Sequence, residues 1–191
     1  MLRPRDAAFK VNVGDMLACS GRGLVADLIS TVSPTYTHVA LIDSDRPAIV
    51  AESTSRSTLP DEESGLFVTG VQAHFLTDWL SAYDGNVWLY QLETPLTSFQ
   101  REEFAEWIEN ERRQHVGYDW AGVMRLGAER IKDELSKAFT AKARAGSLFC
   151  SELATLAYQA VEELPETYKA SEQTPDDAAH WPLFMPPVQL K

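Results

Sequence analysis

The stretch that decides the fold is Tyr36-Thr37-His38-Val39-Ala40-Leu41-Ile42, then Asp43-Ser44-Asp45-Arg46-Pro47, then Ala48-Ile49-Val50-Ala51-Glu52. Two runs rich in β-branched and apolar residues flank a polar, proline-bearing linker, the pattern of a β-hairpin. If the loop centres on Asp45, Ile42 lies opposite Ala48 and His38 opposite Glu52. Opposed residues of an antiparallel pair project to one face with Cβ atoms roughly 4.5–5.5 Å apart. An imidazole and a carboxylate are thereby expected side by side at one end of the hairpin. The expectation depends on register, because a one-residue slip sends Glu52 to the other face.

Outward from the hairpin, the first half of the chain reads as strands. Gly14-Asp15-Met16-Leu17-Ala18-Cys19-Ser20 is a short apolar run closed by Gly21 and Gly23. Leu24 to Val32 suits a short helix stopped by Ser33-Pro34. Leu66-Phe67-Val68-Thr69 and Val87-Trp88-Leu89-Tyr90-Gln91-Leu92 are further strand candidates. The second half reads as helices. Thr97-Ser98-Phe99-Gln100 has capping-box spacing, and Phe104, Trp107 and Ile108 follow on one helical face. A second helix is expected after Tyr118-Asp119-Trp120, through Ile131 and Leu135 towards Phe139. A third, starting near Ser147, carries Cys150, Leu153, Ala154, Leu156 and Ala157. The tail from Ser171, with Pro175, Pro182, Pro186 and Pro187, is expected to be extended and packed on the body. Strands gathered before helices indicate an α+β class, and 191 residues suit a single domain spanning 1–191.

Composition excludes several functions. Hydrophobic residues at 45% and charged residues at 24% are those of a globular chain with a real core. A net charge of −11 disfavours nucleic acid, which needs a positive stripe, and anionic membrane surfaces. No leader-like apolar segment opens the chain and no stretch is long enough to span a bilayer, so a cytoplasmic protein without stable membrane insertion is expected. Two cysteines do not make a disulfide scaffold. His74, His115 and His180 lack metal-ligand spacing, so neither a metal nor another cofactor is expected. His180 is a substitute base for His38 only if the tail folds back. Asp61-Glu62-Glu63 reads as a solvated loop.

The chemistry centres on Cys150. If Ser147 or a neighbour caps its helix, Cys150 lies in the first turn. Free amides and the helix dipole there lower a thiol pKa, and the same amides can receive an oxyanion. Alone, Cys150 reads better as a buried helix cysteine. His38 alone reads equally as a core histidine bound to backbone, and Glu52 as a surface residue at a strand end. Together they make nucleophile, base and orienting carboxylate. Cys19, in an apolar strand, reads as core.

In order along the chain, Gly14-Asp15-Met16-Leu17, Thr37-His38-Val39-Ala40-Leu41-Ile42, Glu52, Gly117-Tyr118-Asp119 and Phe149-Cys150-Ser151-Glu152-Leu153 resemble the circularly permuted NlpC/P60 superfamily. The branch is the YiiX/YebB-like permuted papain-fold amidases, in which the histidine strand precedes the cysteine helix. Thr174-Pro175-Asp176-Asp177 with Pro182-Leu183-Phe184 resembles the tail of that branch. The resemblance implies a papain-like core, a small antiparallel sheet or barrel against helices. It also implies Cys150 as nucleophile, His38 as base and Glu52 as third residue. Tyr118, with Tyr36 and Ser151, is the expected oxyanion and substrate pocket.

The expected activity is a cysteine hydrolase of amidase or peptidase type acting through an acyl-enzyme. Its substrate would be a small molecule, a peptide or a lipid amide. Two rivals accompany it: a lipid acyl hydrolase or acyltransferase resembling lecithin–retinol acyltransferase, and a non-catalytic binding module on the same frame. The oligomeric state is not legible.

Overall fold

The computed structural model describes residues 10–22, 24–55, 57–119, 121–123 and 147–191. The expected helix from Trp120 to Phe139 lies largely outside them. In chain order the elements are β1 (Met16–Gly21), α1 (Leu24–Ser30), β2 (His38–Asp45), β3 (Ala48–Thr54), β4 (Gly70–Phe75), α2 (Leu76–Ala82) and β5 (Gly85–Tyr90). They continue with α3 (Ser98–Arg113), β6 (Gly117–Tyr118), β7 (Ser147–Leu148), α4 (Cys150–Ala160), a 3-10 turn (Ala170–Glu172), α5 (Pro175–Ala179) and β8 (Val188–Gln189). Six strands form one antiparallel sheet in the order β4-β3-β2-β1-β5-β8, while β6 and β7 form a separate parallel pair. This is an α+β arrangement, an open antiparallel sheet against helices.

Alternation along the strands splits the side chains into two buried faces. Met16, Ala18, Val39, Leu41, Ala51, Ala73 and Tyr90 pack against Phe104 and Ile108 of α3 and Ala154, Ala157 and Tyr158 of α4. Leu17, Cys19, Ala40, Ile42, Val50, Val87 and Leu89 pack on the other side, under Leu76, Trp79 and Leu80 of α2. Burial on both faces explains why the strands read as continuous apolar runs rather than as polar–apolar alternation.

The β2–β3 hairpin forms, but in another register. Asp45 pairs with Ala48 around an Arg46-Pro47 turn whose peptide is cis, and Ile42 pairs with Val50 and Leu41 with Ala51. A register shift between Ile42 and Ser44 leaves Asp43 as the extra residue of a bulge. Continued along the ladder, this register would set His38 opposite Thr54, not Glu52. The direct His38–Glu52 pairing is therefore wrong by two residues. Because the side-chain period is two, the error leaves both on the same face as diagonal neighbours.

Other expectations need correcting. Leu66-Phe67-Val68-Thr69 is an exposed loop, and the strand begins at Gly70, where the backbone takes φ +95°. Ser147 does not cap α4. It lies in β7 opposite Gly117, and the N-cap is Phe149, with no side-chain hydrogen bond. Asp61 is not solvated: its carboxylate accepts from the Ser64 and Ala73 amides and from Arg112. The tail is not wholly extended, because Thr174 and Asp177 form a reciprocal capping box that starts α5. The Thr97–Gln100 capping box on α3 is present as expected. Among the described residues, no helix is long and apolar enough to cross a membrane.

Candidate active site

The sheet opens where the candidate residues meet. The β2–β3 ladder ends at Leu41–Ala51, and beyond it Glu52, Ser53 and Thr54 pair with β4 alone. His38 to Ala40 pair with β1 alone. The start of α4 enters this split. The Ser53 hydroxyl donates to the Leu148 carbonyl at 2.6 Å, tying β3 to the segment before Cys150. The Val39 and Ser151 amides hydrogen-bond the Cys150 sulfur. A cysteine on a helix packed against one sheet face thus reaches a histidine that projects from the other.

His38 Nε2 lies 2.6 Å from Glu52 Oε2. The imidazole also hydrogen-bonds the Cys150 sulfur, which leaves Nδ1 for that contact. Burial alone would lower the His38 pKa. The charge and hydrogen bond of Cys150, and then those of Glu52, outweigh it and raise His38 to about 10. Burial would raise Cys150, yet the His38 charge and hydrogen bond and the Val39 and Ser151 amides hold the thiol below its ordinary range. Burial would raise Glu52 too, but the hydrogen bond and charge of His38, with the neighbouring His74 ring at 3.6 Å, bring it down to about 2. Each of the three directions favours the charged form of its group: thiolate, imidazolium and carboxylate.

The loop before β2 is held from the tail. Asp176 at the start of α5 accepts from the Tyr36 amide at 2.7 Å and the Thr35 amide at 3.0 Å, and its own amide donates to Ser33 Oγ. The clamp fixes the chain two residues before His38. Sequence reasoning left Asp176 as part of a tail motif without a role.

The expected pocket residues are placed unequally. Tyr118 lies beside the site, its phenol pushed up by burial and then by the charges of Cys150 and Asp119, so that it stays a protonated donor. Tyr36 is buried, and its hydroxyl bonds that of Tyr90 at 2.9 Å. The Ser151 hydroxyl is fully buried and donates to the Gln173 carbonyl, so only its amide serves the sulfur. Cys19 pairs with His38 beneath the site and is core, its thiol pushed up by burial and then by the Glu52 charge. His180 is exposed, its Nδ1 donating to the Asp176 carbonyl. His115 is exposed as well.

Sequence reasoning missed His74, which it weighed only as a metal ligand. It is buried on β4, with Nδ1 donating to the Pro60 carbonyl at 3.0 Å and Nε2 3.6 Å from Glu52 Oε1. Tyr83 also escaped notice. Its ring stacks on His38 at 6.4 Å between centroids and its hydroxyl hydrogen-bonds Cys19.

No family model and no curated protein matches the chain. A solved structure, the metalloprotein yiiX from Escherichia coli O157:H7 (DUF1105), is similar, with a TM-score of 0.55 and 16% identity over 82% of this chain and 69% of that one. At this identity the likeness shows the fold alone, and it meets the expectation of a YiiX-like arrangement at that level.

Proposed function

We propose that the chain is a cysteine hydrolase of amidase type on a permuted papain-like (NlpC/P60) frame, with Cys150 as nucleophile, His38 as base and Glu52 as the residue that orients it. The observation that carries this reading is His38 itself. It is bound on one side to a carboxylate at 2.6 Å and on the other to a thiol at the first position of a helix.

The geometry supports an acyl-enzyme route. The thiolate attacks the substrate carbonyl carbon, and the C–O π pair moves to oxygen. The Cys150 amide, in the first turn of α4 where amides lack intrahelical partners, and the Tyr118 hydroxyl are the donors for that oxyanion. His38 imidazolium protonates the departing amine, and the C–N bond breaks. His38, now neutral, takes a proton from water, whose oxygen attacks the thioester and releases the acid. Glu52 keeps the ring oriented and its positive form stable throughout.

The similar solved structure is described as a metalloprotein. The side chains here do not fit that role: among the described residues no group of three or more His, Cys, Asp or Glu is arranged to hold a metal ion. No step of the route uses one.

The test is turnover of peptide p-nitroanilides and acyl p-nitrophenyl esters by wild type, Cys150→Ala and His38→Ala. Loss of turnover in both variants supports the reading. Full turnover by Cys150→Ala overturns it. A preference for long-chain esters over peptide amides moves the substrate to the lipid acyl class.

A further inference from the structure

His38 is gripped at the edge of its ring. Glu52 Oε2 lies 2.6 Å from Nε2, and the Cys150 sulfur bonds the other nitrogen. Both bonds run close to the ring plane, where an imidazole N–H points, so neither resists a tilt of that plane. The ring is met along its flat side by Tyr83, half-buried just past α2. The two rings are 20° from parallel with centroids 6.4 Å apart, an offset stack.

Tyr83 is itself fixed from several sides. Its amide donates to the Trp79 carbonyl at the end of α2, and its ring lies 4.9 Å from that of buried Trp79. Its carbonyl accepts from Lys191 Nζ, which also donates to the Leu80 carbonyl at 2.9 Å. Its hydroxyl hydrogen-bonds Cys19, the residue that pairs with His38 across β1 and β2. Gly21 at the end of β1 leaves room for that hydroxyl, because a Cβ there would stand 2.8 Å from it. Burial, and then the charges of Cys19, Glu52 and Cys150, push the phenol up, so the ring stays neutral. The face of a neutral phenol is electron-rich and attracts a cation. The other titratable groups around the imidazole are Cys150 from α4, Glu52 from β3 with His74 of β4 beyond it, Cys19 from β1, and Tyr118 beside the thiol.

Resting on the hydrolase reading, we propose that Tyr83 is a positioning residue of the site: a flat neutral ring that holds the plane of His38 between Cys150 and Glu52 and favours its imidazolium. It acts through His38.

The experiment has two arms. In the wild type, NMR is expected to show NOE cross-peaks between the ring protons of Tyr83 and His38, and their absence overturns the proposal even if every variant misfolds. The second arm compares Cys150 alkylation by iodoacetamide, read peptide by peptide against pH, in wild type, Tyr83→Phe and Tyr83→Leu. Leucine keeps the imidazole covered but has no π face. The burial that lowers His38 is then retained while the attraction for its positive form is lost. A weaker imidazolium supports the Cys150 thiolate less, so the rising low-pH limb moves to higher pH. On that limb alkylation is expected to slow by about two- to fourfold, a small effect because 6.4 Å stands at the outer edge of the reach of a ring face. Tyr83→Phe keeps the π face and is expected to lose less than Tyr83→Leu. Equal losses assign the effect to the hydroxyl and overturn the proposal, as does a folded Tyr83→Leu protein with the wild-type limb. An ordinary thiol profile for Cys150 in the wild type overturns the hydrolase reading itself, and the positioning role with it.

Discussion

Replacing Glu52 by glutamine keeps the shape of the side chain and removes its charge, which makes it the sharpest probe of the site. Glu52 Oε2 lies 2.6 Å from His38 Nε2 with both side chains largely buried, so this is a charge-assisted hydrogen bond little weakened by solvent. Such bonds contribute about 1.5–3 kcal/mol. At about 1.4 kcal/mol per pKa unit, the imidazolium loses roughly one to two units of its elevation. His38 stands at about 10 in the wild type, so the upper limb of a bell-shaped profile should move down towards neutrality. The lower limb moves in the opposite sense, because a weaker imidazolium supports the Cys150 thiolate less. The reactive window narrows from both ends. At pH 6.5 the Cys150 alkylation rate is expected to fall by about ten- to a hundredfold, while Cys19, fully buried, stays unreactive in both proteins. The assay is iodoacetamide labelling read by peptide mass, with circular dichroism to establish that the variant is folded. A folded Glu52→Gln protein with the wild-type profile would refute the coupling of Cys150 to Glu52 through His38.

Three further outcomes are expected from the frame around the site. Gly70→Ala should destabilise by about 3 kcal/mol or more, lowering Tm by roughly 6–12 °C. Its Cβ would meet the Val116 carbonyl oxygen at 2.0 Å and the backbone sits at φ +95°; an unchanged Tm would contradict the close approach of β4 to β6. Tyr158→Phe removes a 2.6 Å bond to the Gly14 carbonyl in the core, for about 1–3 kcal/mol by urea unfolding, and equal stability would deny that bond any weight. Arg112→Met tests a pH dependence. Burial raises Asp61, but the Ala73 and Ser64 bonds and then Arg112 bring it to about 2, so its stabilisation is present above the ordinary value of 3.8 and is lost as pH falls through about 2. The variant should therefore be less stable than wild type near pH 6, with the gap closing between about pH 4 and 2; an equal gap at both ends would place the effect elsewhere.

Local signals made part of this legible. The hairpin was readable because two β-rich runs flanked a proline-bearing linker, and α3 because Thr97 and Gln100 stand at capping spacing before Phe104 and Ile108. Register was not readable, since nothing in the run from Asp43 to Pro47 announces that Asp43 bulges out. The prediction survived at the level that matters because an error of two preserves the face, whereas an error of one would have parted His38 from Glu52. Leu66 and Phe67 misled because their composition is that of a strand. The strand is set instead by what Gly70 permits, a close pass of β4 over the Val116 carbonyl, which is a tertiary fact. His74 was hidden for a similar reason. Its partner Glu52 is twenty-two positions away, on a strand whose pairing with β4 no local pattern states.

The split between β2 and β3 also explains how a residue of one sheet face can meet a cysteine packed on the other. His38 lies on the sheet face opposite the one that α4 covers, and a continuous sheet would keep it from Cys150. By ending the β2–β3 ladder at Leu41–Ala51, the fold frees the Val39 amide for the sulfur and lets Ser53 grip the strand that precedes α4. The same opening leaves Glu52 paired only with Gln72 of β4, next to His74. Each group that bears on the thiol is thus fixed by an element that is itself buried: β2, β3 and β4 within the sheet, and α4 by Leu153, Ala154 and Ala157. A site built this way pays for its charges with rigidity, and a variant that loosens the split, such as Ser53→Ala, should blunt the Cys150 profile while leaving its low-pH limb dependent on His38.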